Sequence, residues 1–305
     1  MAKKVCIGID LGGTEIKYGI VDIEGNVFWN SKKPTKALSS SKEVLQNIVD
    51  AGFEALNFAK ELSLEVVAVG LGTPGLVENC NIVVGEATNI NGWKDLALGS
   101  IISNKLNLPT FIGNDAEMMG LGEFYTSKEE SNNTVIYITL GTGIGGAIFI
   151  NGKLFQGHFG VGGELGVIPM VINNEVKNWE DVASTAAMVK LYKEKSKLNK
   201  SEFNINGKFI IKKFLEGEKV AADIIETTTN YIAMGIAGYI NIFNPKKIVI
   251  GGGVSQAGDF FIAKIKEHIL KYVISECYAK VEVEAAKLGN KAGFIGAGVF
   301  ALKKA

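Results

Sequence analysis

The stretch Asp10-Leu-Gly-Gly-Thr14, followed by Lys17, places an acid, two residues without Cβ atoms, a hydroxyl and an ammonium within one turn. Glycines at 12 and 13 let backbone N–H groups approach phosphate oxygens closely. Thr14 and Lys17 add donors, and Asp10, at the end of the strand-like run Val5–Ile9, offers an oxygen ligand for Mg²⁺, directly or through water. A plain hairpin with Asp10 capping the turn would use the same residues differently. The turn lacks the Gly-Lys-Ser/Thr ending of a P-loop. A second set of donors comes from Gly141-Thr142-Gly143-Ile-Gly-Gly146, where a strand rather than a helix follows, unlike a dinucleotide-binding fingerprint. Two such turns on facing lobes could hold β- and γ-phosphates from two sides and couple binding to closure. A third, Gly251-Gly252-Gly253, would let a nucleoside lie against bare backbone. Asp115, after Asn114 at the end of the run Thr110–Gly113, could accept the proton of a substrate hydroxyl during phosphoryl transfer. Its bland alternative is a helix N-cap.

These residues need strands to present them. The chain has 37 glycines and five prolines, and the glycines follow short β-branched runs: Val5–Ile9, Val66–Val69, Thr134–Thr139 and Lys247–Ile250. The first and third runs share a longer plan of strand, Gly/Thr turn, second strand and polar hairpin (Glu24-Gly25-Asn26 and Asn151-Gly152-Lys153). The repetition predicts a duplicated β-unit and two lobes, although two unrelated hairpins would read alike. Between the strands, Ser41 is expected to cap a helix with Val44, Leu45, Ile48, Val49, Phe53 and Leu56 on one face. Further helices are expected over about 220–243, stopping at Asn244-Pro245, over about 259–272, and at 293–305. Alternating strands and helices predict mixed α/β lobes.

The bulk numbers narrow the partners. The 32 basic and 32 acidic side chains among 305 residues cancel, which removes a general field for nucleic acid or an anionic membrane. Cys6, Cys80 and Cys277 lie far apart, without metal-ligand spacing, and suit a reducing cytoplasm. The apolar stretch around Tyr231 to Phe243 is too short to span a bilayer. A cytoplasmic protein acting on a small molecule is expected.

Taken in order and spacing, these stretches resemble the ROK family of bacterial sugar kinases and repressors, over nearly the whole chain. Its marks are Asp10-Leu-Gly-Gly-Thr14, Thr73-Pro-Gly75, Asn89-Ile-Asn-Gly-Trp93, Gly113-Asn-Asp115, Gly141-Thr-Gly-Ile-Gly-Gly146, Gly163-Glu-Leu-Gly166, Trp179-Glu180 and Asn244-Pro245 ahead of Gly251-Gly-Gly253. The resemblance implies a two-lobed actin/hexokinase-like ATPase fold, a duplicated ribonuclease H-like α/β architecture. The lobes would be 1–116, joined by the helix 293–305, and 117–292. It implies Asp115 as catalytic base and Asn89, Asn114, Glu164 and Glu180 as ligands of sugar hydroxyls, with Gly75 on the pocket wall. It implies Asp10, Gly12, Gly13, Thr14, Gly141, Thr142 and Gly143 as ATP phosphate and Mg²⁺ contacts, aided by Lys17. Gly252 and Gly253 would lie beside the nucleoside. Family members are commonly homodimers, so a homodimer is expected.

One departure is informative. Many members follow Gly-Glu-x-Gly with His and a cysteine-rich run that together hold a structural zinc. Here Val167 takes the His position and Met170 to Trp179 contains no cysteine, so no zinc site is expected. His158 and His268 are expected to be surface or packing residues. The missing His also alters the sugar pocket, because Val167 presents methyl groups instead of a hydrogen-bonding ring. Methyl burial contributes on the order of 0.8 kcal/mol, which suits a 2-acetamido group, and zinc-less members include N-acetylmannosamine kinases. The reading is therefore ATP-dependent phosphorylation at a sugar 6-hydroxyl, N-acetylmannosamine first, glucose or another hexose as the alternative. A repressor would need a helix-turn-helix, yet four residues precede Val5. A silent sugar-binding or actin-like relative should lack the base or a phosphate turn.

Overall fold

The computed structural model describes residues 2–87, 90–127, 132–158, 160–196, 204–253 and 257–305. Asn89 lies outside the described residues. The chain divides into two compact units, Met1–Glu130 with Leu154–Gly163 and Leu288–Ala305, and Ser131–Lys153 with Glu164–Lys287.

Each unit is built on a five-stranded sheet of the same plan. In the first, the strand order is Val27–Pro34, Glu15–Val21, Lys4–Leu11, Glu65–Thr73, Thr110–Asn114. In the second it is Lys153–Leu154, Ile144–Ile150, Val135–Leu140, Lys247–Gly252, Glu282–Ala285. The hairpin pairs antiparallel in both, and the next two strands join in parallel. Parallel neighbours need a crossover, and helices supply it. Ser41–Glu61 precedes Glu65–Thr73, and Lys219–Phe243 precedes Lys247–Gly252. Asn244 ends that last helix in the left-handed conformation, its N–H donating to Ile240. Each unit has its own apolar core, one centred on Ile7, Ile9, Val69 and Ile112, the other on Ile136, Ile138, Ile232 and Ile248.

Several expected details fall elsewhere. Ser40, not Ser41, caps the first helix, its Oγ accepting from Glu43 N at 3.3 Å. Phe53 is exposed; the buried stripe runs through Val44, Ile48, Val49, Ala51, Gly52, Ala55 and Ala59. Small residues win there because the helix lies close to its neighbours, and a Cβ on Gly52 would meet the Leu106 side chain. The helix expected to reach 272 ends at Ile269. Helix Asp115–Thr126 belongs wholly to the first unit, as does Leu154–Gly163, so the observed division falls later than 116.

The glycines serve packing as much as turns. Helix Ala292–Lys304 lies on strands Lys4–Leu11 and Glu65–Thr73 and on helix Asp115–Thr126. A Cβ on Gly8 or Gly70 would overlap helix carbonyls of Phe294 or Ala297, and one on Gly122 the carbonyl of Ala292. Backbone-to-backbone approach of this kind excludes any side chain. His268 is buried, with Lys271 Nζ 2.8 Å from Nδ1 and Glu226 Oε1 3.1 Å from Nε2, whereas His158 is exposed. Among the described residues, no helix is long and apolar enough to cross a membrane.

Candidate active site

In the first unit, Asp10 and Lys17 are cross-strand partners in the register of the opening hairpin. Asp10 is 3% exposed, and Lys17 Nζ lies 3.9 Å from its Oδ2. Burial pushes the Asp10 carboxyl up to about 7, Lys17 opposes the rise, and the charge of Asp115 adds to it. The carboxylate also sits against the first turn of helix Ala292–Lys304, where any Cβ on Gly293 would collide with it. Mg²⁺ is held in many nucleotide sites by one or two carboxylates, waters and the substrate's own phosphates. A single buried, electrically uncomfortable acid fits that role.

The turn beyond Asp10 is shaped by its own backbone and by Thr35. Gly12 N donates to Glu15 O at 3.1 Å, Thr35 Oγ1 donates to Gly12 O at 2.6 Å, and Thr35 N to Thr14 O at 2.9 Å. Gly13 and Thr14 stay exposed at its tip. Thr35, fully buried, carries no motif signal in the sequence.

Asn114 and Asp115 divide the work at the end of strand Thr110–Asn114. Asn114 is the N-cap, its Oδ1 accepting from Ala116 N at 2.9 Å and Glu117 N at 3.3 Å. Its Nδ2 donates to Gly75 O at 3.1 Å, so Asn114 also ties the Thr73-Pro74-Gly75 wall to the helix start. Asp115 is thereby not the N-cap and shares only the Ala116 N–H with Asn114. It is the first helical residue, half-buried, with Oδ1 accepting from Ala116 N at 2.9 Å, and burial raises its carboxyl above the usual range. A carboxylate with a raised proton affinity is a better base. Gly75 itself is in the left-handed region (φ +93°), and buried Trp93 donates from Nε1 to Thr73 Oγ1 at 2.9 Å, fixing the wall from behind.

In the second unit, Thr142 is exposed at the tip of the turn, and Gly141 N donates to Gly143 O at 3.0 Å. Gly252 is paired with Leu140 in parallel register, and at its φ of +93° a Cβ would overlap the Leu140 carbonyl. Gly253 is exposed, and no described residue lies within contact of where its Cβ would go. Gly252 and Gly253 thus stand beside the strand that ends in the Gly141–Gly143 turn. Glu164 is exposed just before the 3₁₀ turn Leu165–Val167. Glu180, in the first turn of helix Trp179–Ala183, is held at the Gly141–Gly143 turn: Ile144 N donates to its Oε2 at 3.0 Å.

The ROK family sequence profile matches residues 6–304. The chain belongs to the ROK family. This ROK chain is 34% identical over 310 residues to a glucokinase from Streptomyces coelicolor, with 95% of each chain covered. A crystal structure of a ROK family glucokinase from Streptomyces griseus, in complex with glucose and AMPPNP, superposes with a TM-score of 0.84 at 31% identity. The match covers 98% of this chain and 99% of that one. A xylose repressor from Caldicellulosiruptor bescii is 28% identical over 304 residues, 95% of this chain and 76% of the repressor. The fold of this ROK chain is the two-lobed α/β actin/hexokinase type.

Proposed function

We propose that this ROK chain transfers the γ-phosphoryl group of ATP to the 6-hydroxyl of a hexose or N-acetylhexosamine, with Asp115 as the base. The observation that carries the reading is the division of labour at 114–115. Asn114 takes over the cap, which leaves Asp115 as a half-buried carboxylate of raised proton affinity. The kinase names of the similar Streptomyces proteins support the same activity. Asp10 would hold Mg²⁺, which when bound neutralises phosphate charge. The turns at Gly12–Thr14 and Gly141–Gly143 would donate to the phosphates, Gly252 and Gly253 would face the nucleoside, and Glu164 and Glu180 would accept from sugar hydroxyls. Polar groups that each pair with one hydroxyl discriminate strongly against sugars lacking it. A cytoplasmic, Mg²⁺-dependent homodimer completes the proposal.

For the sugar, Val167 favours N-acetylmannosamine. It is 47% exposed, three residues beyond Glu164, presenting methyl groups suited to an acetamido methyl. Glucose is the second reading, favoured by the glucokinases of similar sequence. A panel of N-acetylmannosamine, glucose, N-acetylglucosamine, fructose and allose, read by ADP release with MgATP, tests both. The highest kcat/KM is expected for N-acetylmannosamine. A higher value for glucose replaces the sugar and keeps the kinase; no turnover of any hexose or acetamidohexose removes the kinase reading.

A further inference from the structure

We propose that Glu180 is a positioning residue for the nucleotide turn as well as a sugar ligand, so that one carboxylate links the two substrate sites. The proposal rests on the kinase reading above and deepens it. Glu180 Oε2 accepts the N–H of Ile144, the first residue after the Gly141–Gly143 turn, at 3.0 Å. Ile144 is 5% exposed, so its N–H depends on a protein partner. The oxygen is seated in a notch between two glycines. A Cβ on Gly143 would collide with Oε2, and one on Gly166 would stand 3.1 Å from it.

The other side of the turn is held from the same short segment of chain. Thr185 N donates to Gly141 O at 3.0 Å, and Thr185 Oγ1 donates to Leu140 O at 3.2 Å. The segment is anchored in the core by Trp179, fully buried, with Nε1 donating to Tyr231 O at 2.8 Å. Ser184, also buried, caps the following helix by accepting from Ala187 N at 3.1 Å. The turn therefore has little freedom of its own. Its donors are aimed by Glu180 at one end and Thr185 at the other. A carboxylate has two oxygens, and with Oε2 engaged on the turn Oε1 is the one available to a sugar hydroxyl. A sugar pulling on Oε1 biases the same carboxylate that sets the turn, which would make nucleotide affinity depend on sugar occupancy.

The test is calorimetric affinity for MgADP in the absence of sugar, with amide exchange at Ile144 measured in parallel. Glu180→Ala is expected to weaken MgADP about tenfold, as for a lost hydrogen bond to a buried amide, and to accelerate exchange at Ile144. Glu180→Gln, whose amide oxygen can accept the same N–H, should stay within about threefold of wild type. Should Glu180→Ala fail to fold, Thr185→Val removes only the hydroxyl bond to Leu140 and should still weaken MgADP about threefold. Unchanged MgADP affinity and Ile144 exchange in Glu180→Ala, or unchanged MgADP affinity in Thr185→Val where that variant is needed, overturns the proposal and leaves the kinase reading intact. Wild-type protein that binds no MgADP overturns both.

Discussion

Asp10 offers the most direct physical test, because its burial should be visible in stability before any substrate is added. In the ligand-free chain this carboxyl is 3% exposed and raised from 3.8 to about 7 by burial. Between those values the folded chain retains a proton that the unfolded chain has released. Stability must therefore fall as pH rises through that window and level off above it. At about 1.36 kcal/mol per pH unit, the ceiling on this loss is roughly 4 kcal/mol at pH 8 and roughly 1.6 kcal/mol at pH 5. Asp10→Asn keeps the shape and removes the titration. Its stability relative to wild type should rise by about 2–3 kcal/mol between pH 5 and pH 8. The absolute difference will be smaller than the ceiling, since a buried amide needs partners of its own. Urea unfolding at the two pH values, with the slope unchanged, reads the effect. Saturating MgADP should then reverse the order, stabilising wild type more than the variant, because a cation beside Asp10 restores the value of its charge. A wild-type-to-variant difference that is the same at pH 5 and pH 8 would refute the reasoning.

Three further tests address the base, the packing and the nucleoside contact. Asp115→Asn should lower kcat by about 10² to 10⁴ while calorimetric sugar affinity stays within a few-fold; full activity would remove Asp115 from its role. Gly70→Ala should destabilise by more than about 3 kcal/mol in urea, because its Cβ would enter the Ala297 carbonyl, which cannot step aside as a side chain can. Gly253→Ala, whose Cβ meets no described residue, should unfold at the wild-type urea concentration while weakening nucleotide binding.

Local chemistry was readable from the chain itself. The two hairpins announced themselves because glycine and threonine after β-branched runs can do little except turn, and both units do open on antiparallel pairs at those places. The stop at Asn244-Pro245 was legible for the same reason: proline cannot continue a helix. Ser39, Ser40 and Ser41 are chemically equivalent caps, and which of them serves depends on how the helix seats on its sheet. Phe53 was misplaced on the apolar face because hydrophobicity does not reveal how near a neighbouring backbone stands. Gly70, after the run Val66–Val69, reads as a turn glycine, yet it admits helix Ala292–Lys304 against the sheet, as do Gly8 and Gly122, which carry no signal of that role in the sequence.

The order of residues by itself determined which groups could do chemistry, since the identity of an acid, a hydroxyl or a bare backbone is a covalent fact. Tertiary structure alone decided how those groups are employed. It gave the N-cap to Asn114 and left Asp115 as the first helical residue, it put Gly293 of the last helix against Asp10, and it brought Glu180 onto the amide of Ile144 from 36 residues away. Desolvation and hydrogen bonding are properties of neighbourhoods in space, and residues this far apart along a chain acquire neighbours only when it folds.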